Sequence, residues 1–173
     1  VIGPIPLAPA RIAAQALSPG VVTAALTDKF RGDPVAFISA LETLEVAPDQ
    51  PARIVVKINA LTDPELIAAL VRAGQSGVQI DLIVRGACML PAGLPGLTAN
   101  IRVRSIVGRF LEHTRVMYFR WGPAEADEAL YLSSADWMSR NMFRRIEVAW
   151  PLNDPRLRQR VIGLMSGPAR EQV

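Results

Sequence analysis

Two apolar runs with a helix start between them constrain this chain more than any other feature. Ala52–Asn59 (ARIVVKIN) and Val78–Val84 (VQIDLIV) are β-branched and apolar, as buried strands are. Thr62-Asp63-Pro64-Glu65 is a helix start, Glu65–Ala73 continues the helix, and Gly74 or Gly77 ends it. Strand, helix and strand within about 30 residues make a βαβ unit, whose strands run parallel with a right-handed crossover.

The rest of the chain is arranged around that unit. Ala87–Asn100 is a loop punctuated by Pro91, Gly93, Pro95 and Gly96. Strands are predicted at Ile101–Ile106, Thr114–Phe119, Ala129–Leu132 and Arg145–Trp150, with turns at Gly108–His113 and Arg120–Glu128. Ser133–Asn141 is polar and irregular or briefly helical, and Asp154-Pro155 caps a final helix running to about Leu164. Residues 1–50 differ. They hold six of the 14 prolines, with helices predicted over Asp33–Leu44 and roughly Pro9–Leu17. They are read as a helical lead-in, and residues 51–173 as an α/β domain.

At 173 residues the chain has room for one domain with a sizeable core. Its single cysteine, Cys88, excludes a disulfide scaffold and a cysteine-built zinc cluster, and reads as incidental. Its single histidine, His113, excludes a dyad or metal site needing two histidines from this chain. No apolar run is long enough to span a membrane. Val1–Ala10, with three prolines and no basic residue, is not an intact signal peptide. The first residue is Val1, so the chain is read as starting inside a longer protein. The 19 basic residues are 17 Arg and two Lys, and from Arg85 to Arg145 nine Arg face five acids. A guanidinium is a planar fork that fits phosphate or carboxylate, so the central third points to an anionic partner. Codon usage in a high-GC genome is the alternative source of the arginine excess as a whole.

In open α/β sheets ligands bind outside the carboxyl ends of the strands. Arg85 stands at such an end, beside Gly86 and a long loop rich in Gly and Pro; a solvated turn arginine is the alternative. His113 is flanked by Arg109 and Arg115 and opens a strand, sharing a face with Arg115, Met117 and Phe119 by alternation. That setting suits a phosphate clamp or an acid–base group facing the same pocket as Arg85, against the alternative of a structural histidine. Ser134, Arg140 and Asn141 can donate to phosphoryl oxygens, and Asp136 can orient His113 or an arginine. A turn capped by Ser134 or Asp136 accounts for the same residues. Alternation puts Arg145 and Glu147 on one strand face as an ion pair. There is no G-x-x-x-x-G-K-S/T loop, no G-x-G-x-x-G after a strand, no protein-kinase signature and no carboxylate cluster for a metal.

The words ARIVVKINALTDPELIAAL, SGVQIDLIVRG, NIRVRSIVGRFLEH, YLSSADWMSRN, RRIEVAWPL and DPRLRQRV run in order from Ala52 to about Ile162. They resemble the C-terminal domain of bacterial polyphosphate kinase of the first type, specifically the second of its two related C-terminal domains. The resemblance implies a phospholipase D-like α/β fold: a mixed, mostly parallel sheet flanked by helices. It implies a part in reversible transfer of the terminal phosphate of ATP to polyphosphate, assisted by Mg2+, for which no ligand is identified in this chain. The histidine that is phosphorylated in that family lies in the preceding domain, so this chain alone is expected to be inactive. Arg85, in IVRG, matches the arginine that contacts the nucleotide's phosphates. His113, in FLEHTR, matches a second histidine that binds ATP without carrying the phosphate. Arg109, Arg115, Ser134, Arg140 and Asn141 are additional candidates for phosphate contacts. The sequence departs from the family at GACMLPAG after Arg85, at RWGPAEADEA after Phe119 and at Phe143. The implied partners are ATP, inorganic polyphosphate, the remaining polyphosphate kinase domains and a second copy of the chain. The implied location is the cytoplasm or the periphery of the inner membrane. Two other readings stay open: a homodimeric phospholipase D-like phosphodiesterase or nuclease, and a non-catalytic polyanion-binding module.

Overall fold

Asp63 starts the helix between the two apolar runs. Its Oδ1 accepts from the N–H groups of Glu65 and Leu66, each at 3.1 Å, and Pro64 stands where a helix needs no N–H. In the computed structural model, which describes residues 52–106, 111–123 and 127–166, this helix is α1 (Pro64–Gln75). It links β1 (Arg53–Ile58) to β2 (Gln79–Val84). Then come β3 (Ile101–Arg104), β4 (Val116–Arg120), β5 (Glu128–Ser133), α2 (Ser139–Arg144), β6 (Ala149–Pro151) and α3 (Pro155–Ser166). The strands form one sheet in the order β3-β2-β1-β4-β5-β6. The predicted lead-in helices at Asp33–Leu44 and Pro9–Leu17 lie outside the described residues.

Side chains of a strand point alternately to opposite faces. On one face Ile54, Val56, Ile58, Ile80 and Leu82 belong to the core that includes α1, where Leu66, Ala69, Leu70 and Ala73 are fully buried. On the other, Val55, Ile83, Val116, Tyr118 and Leu130 pack with Val161, Ile162 and Met165 of α3. Cover on both faces is why β1 and β2 read as nearly unbroken apolar runs. Asp81, an acid inside β2, is buried between Arg53 and Arg102 at 2.8 and 2.9 Å. Burial pushes its carboxyl up, and the two guanidiniums outweigh that, leaving it below the ordinary value.

β1 pairs in parallel with β2, and β2 with β3; the pairings β1–β4, β4–β5 and β5–β6 are antiparallel. The sheet is therefore mixed, but its pairings are not mostly parallel, which corrects that part of the expectation. For β4 and β5 connection length decides the matter. Only residues 121–127 join β4 to β5, enough for a hairpin and too few for a crossover, which takes about a dozen or more.

Two strand boundaries also shift. β4 begins at Val116, two residues later than predicted, because the N–H of Thr114 turns to the Glu112 carboxylate at 3.1 Å instead of joining the ladder. β6 covers Ala149–Pro151 and not Arg145–Trp150. The cause is Glu147, whose side chain turns to Ser134 and Asn141 and takes its segment out of the sheet. No helix among the described residues is long and apolar enough to cross a membrane.

Candidate functional site

Topology gathers four chain segments at one rim of the sheet. β1 and β2 run parallel, so both end there. β4 runs against β1, with Val116 opposite Lys57, so the residues just before β4 reach the same rim. β5 runs against β4, with Leu132 opposite Val116, so the loop after β5 arrives there too.

Asn59, Ala60 and Leu61 carry β1 past the sheet and are gripped from both sides. Asn59 O accepts from Gly86 N at 2.8 Å, and Leu61 exchanges backbone bonds of 2.9 Å with Ala87 and Met89. From the other side Trp137 N donates to Ala60 O at 3.0 Å, and Trp137 O accepts from Thr62 N at 2.9 Å. A Cβ on residue 86 would stand 3.1 Å from the Asn59 carbonyl oxygen, so this close approach favours glycine. Trp137, 1% exposed, fills the space beneath.

Asp136 is buried just before that tryptophan. Its Oδ1 accepts from Asn59 N at 2.8 Å, Ala60 N at 3.3 Å and Arg115 Nε at 3.0 Å, and its Oδ2 from Arg115 Nη2 at 2.9 Å. Burial raises the Asp136 carboxyl, but Arg115 and the two backbone N–H groups outweigh it and hold the group below its usual value. Arg115 also donates through Nη1 to His113 O at 3.2 Å, and its Nη2 lies 3.1 Å from His113 Nε2.

The segment before β4 is pinned from the sheet as well. Lys57 pairs with Glu112 at 2.8 Å, and that bond with the bond from Thr114 pulls the Glu112 carboxyl down to about 2. Arg85, half-buried at the end of β2, donates through Nη1 to Glu112 O at 3.1 Å. Arg85 thus touches the residue next to His113, which is exposed.

The structure places Arg115 against the His113 ring and Arg85 against Glu112, the residue before His113. His113 does not open β4, however; it stands three residues before it, so strand alternation does not set its direction. Arg109 lies outside the described residues. Arg140 is exposed in the first turn of α2. Ser134 and Asn141 face inward. The Ser134 hydroxyl donates to Glu147 Oε2 and accepts from Val148 N, and Asn141 Nδ2 donates to Glu147 Oε1 at 2.7 Å. The buried Asn141 Oδ1 has no hydrogen-bond partner among the described residues. Glu147 pairs with neither Arg145 nor a strand neighbour in this arrangement, and its organising role is not visible in the sequence. The one signal available was an acid in the otherwise apolar run Ile146–Trp150.

Sheet order and helices on both faces define an α/β domain built on one mixed six-stranded sheet. NucT from Helicobacter pylori shares the fold at a TM-score of 0.53 and 12% identity, over 80% of this chain and 88% of NucT. The crystal structure of polyphosphate kinase from Porphyromonas gingivalis matches at a TM-score of 0.70 and 39% identity, over 79% of this chain and 20% of that one. The profile of the family described as polyphosphate kinase C-terminal domain 2 matches residues 36–172, and the chain belongs to that family. The polyphosphate kinases of Burkholderia cenocepacia (strain HI2424) and Paraburkholderia phytofirmans are each 62% identical over 111 residues, or 64% of this chain. The chain spans 16% of the length of these curated relatives.

Proposed function

We propose that this chain is the second C-terminal domain of a polyphosphate kinase and lends ATP- and polyphosphate-binding residues to reversible transfer of the terminal phosphate of ATP. Arg85 is the principal contact and His113 its neighbour, as a phosphate clamp or acid–base group. The observation that carries this reading is the state of the cations on the rim. Lys57 is neutralised by Glu112 and Arg115 by Asp136, whereas Arg85 meets a neutral carbonyl and, among the described residues, no carboxylate. An uncompensated, half-buried guanidinium at the carboxyl end of a strand is built to receive an anion.

Phosphoryl transfer consists mostly of positioning and charge neutralisation, which such a rim supplies without holding the nucleophile. By family resemblance the phosphorylated histidine belongs to the preceding domain, so the isolated chain makes no polyphosphate. Among the described residues no group of three or more His, Cys, Asp or Glu is placed to hold a metal, so they do not fit a magnesium cage. Magnesium, if used, is bound chiefly by the nucleotide's own phosphates. The likeness to NucT, at 12% identity, shows the fold alone and adds no phosphodiesterase reading.

A chimera tests the proposal. Residues 52–162 replace the matched stretch of the Burkholderia cenocepacia enzyme, and polyphosphate synthesis from ATP is measured. The chimera should synthesise polyphosphate, and Arg85→Ala in it should lower the rate at least about tenfold, as loss of a charged contact does. A folded but inactive chimera overturns the domain reading, and full activity with Arg85→Ala overturns the role of Arg85.

A further inference from the structure

Arg115 follows His113 by two residues, and a basic residue so placed invites assignment as a second phosphate contact. The geometry points elsewhere. We infer that Asp136 is a positioning residue that withholds the Arg115 guanidinium from phosphate and uses it to fix the ring of His113. The inference rests on reading the rim as a phosphate site.

Three observations carry it. First, Arg115 gives Asp136 two parallel bonds, Nε to Oδ1 at 3.0 Å and Nη2 to Oδ2 at 2.9 Å, the two-pronged arrangement of a strong ion pair. The two side chains are only 12% and 6% exposed. Swinging Arg115 out to a ligand would leave a buried carboxylate without its counter-charge, which is strongly unfavourable.

Second, the guanidinium lies along the imidazole. Nη1 is 3.4 Å from Nδ1 and Nη2 is 3.1 Å from Nε2, so each ring nitrogen faces a different arm of the fork. Nη1 also holds the His113 carbonyl at 3.2 Å, fixing the backbone and the ring of one residue together.

Third, Asp136 is anchored independently of Arg115. It accepts from the N–H groups of Asn59 and Ala60, where β1 leaves the sheet. The order of β1 thereby passes through Asp136 and Arg115 to an otherwise exposed histidine. The couple is neutral as a whole, so it orients His113 without adding attraction for a polyanion.

The experiment uses the 173-residue chain and tripolyphosphate as probe. In the wild type, the Arg115 Nε–H resonance should exchange slowly with solvent and stay in place as tripolyphosphate is added, while that of Arg85 moves. Asp136→Asn keeps an oxygen for the Asn59 and Ala60 N–H groups and releases Arg115. It should bind tripolyphosphate more tightly, by about threefold to tenfold at low salt, a gain that mere structural damage would not give. Asp136→Asn with Arg115→Met removes a neutral couple and should bind within about twofold of wild type. His113 is the only histidine, so the rate of diethyl pyrocarbonate acylation reads it alone. That rate should rise at least about threefold in both variants while circular dichroism stays native.

An affinity loss of about tenfold in the double variant overturns the inference, because Arg115 would then be a phosphate contact. So does an Arg115 resonance that moves with the ligand. Should the variants not fold, the wild-type resonances decide. Failure of tripolyphosphate to bind at all overturns the proposed function, and the ligand-free exchange of Arg115 Nε–H and acylation of His113 still test the couple.

Discussion

Replacing Asp63 with Ala should destabilise this domain by two separable amounts. Asp63 is 2% exposed and its two carboxylate oxygens have different tasks. Oδ1 caps α1 through the N–H groups of Glu65 and Leu66, and Oδ2 accepts the Ser139 hydroxyl at 2.7 Å at the start of α2. Loss of a cap costs about 1 kcal/mol. A hydrogen bond to a charged acceptor contributes about 1.5–3 kcal/mol, toward the lower end here because Ser139 is exposed and water can replace its partner. Together these give about 2–4 kcal/mol, or a fall in Tm of roughly 5–15 °C for a chain of this size. Asp63→Ser retains the cap but is too short for Ser139, and should recover about 1 kcal/mol. In a cycle of Asp63→Ala and Ser139→Ala, read by urea unfolding, the coupling should be about 1 kcal/mol or more. A coupling below about 0.3 kcal/mol would refute the claim that Asp63 ties the two helix starts together.

Acid should weaken the segment that precedes β4. The Glu112 carboxyl is held at about 2 against an ordinary 4.5 by Lys57 and Thr114, so its contribution is complete above about pH 4.5 and is lost as pH falls toward 2. The pair is 16% and 29% exposed, so screening leaves about 1 kcal/mol. Unfolding midpoints measured at about pH 5 and pH 3 should differ less in Glu112→Gln than in wild type; equal differences would count against the pair. Trp137→Ala should cost about 3–5 kcal/mol, because a fully buried ring beneath the rim leaves a cavity; a loss under about 1 kcal/mol in thermal unfolding would show that the site collapses around it.

The βαβ unit was legible because its signals are local. Asp63 and Pro64 act on the turn they begin, and the apolar runs of β1 and β2 record burial directly. Arg85 was legible as a candidate for the same reason: it ends a recognisable strand. What failed were inferences that depend on distant partners. The reading of Asp136 as orienting His113 or an arginine holds for Arg115, 21 residues away, but its bond to Asn59, 77 residues away, has no local signal. Alternation extended a strand over Arg145–Val148 because it assigns every side chain to a sheet face, and Glu147 bonds instead to Ser134, 13 residues back. The antiparallel half of the sheet was hidden by the strength of the parallel signal in the first half. The family resemblance was carried by contiguous words such as YLSSADWMSRN, which pack Asp136, Trp137 and Asn141 into one loop and helix turn.

Whether Arg85 receives phosphate decides the role of the rim. Calorimetric titration of the 173-residue chain with tripolyphosphate at low salt measures this without the rest of a polyphosphate kinase. Wild type should bind, and Arg85→Ala should bind at least about tenfold more weakly, matching the roughly 1.5–3 kcal/mol of a charged hydrogen bond. Arg85→Lys should not restore the loss, since a point charge does not replace a planar fork. Equal affinity of wild type and Arg85→Ala would contradict the assignment of the rim.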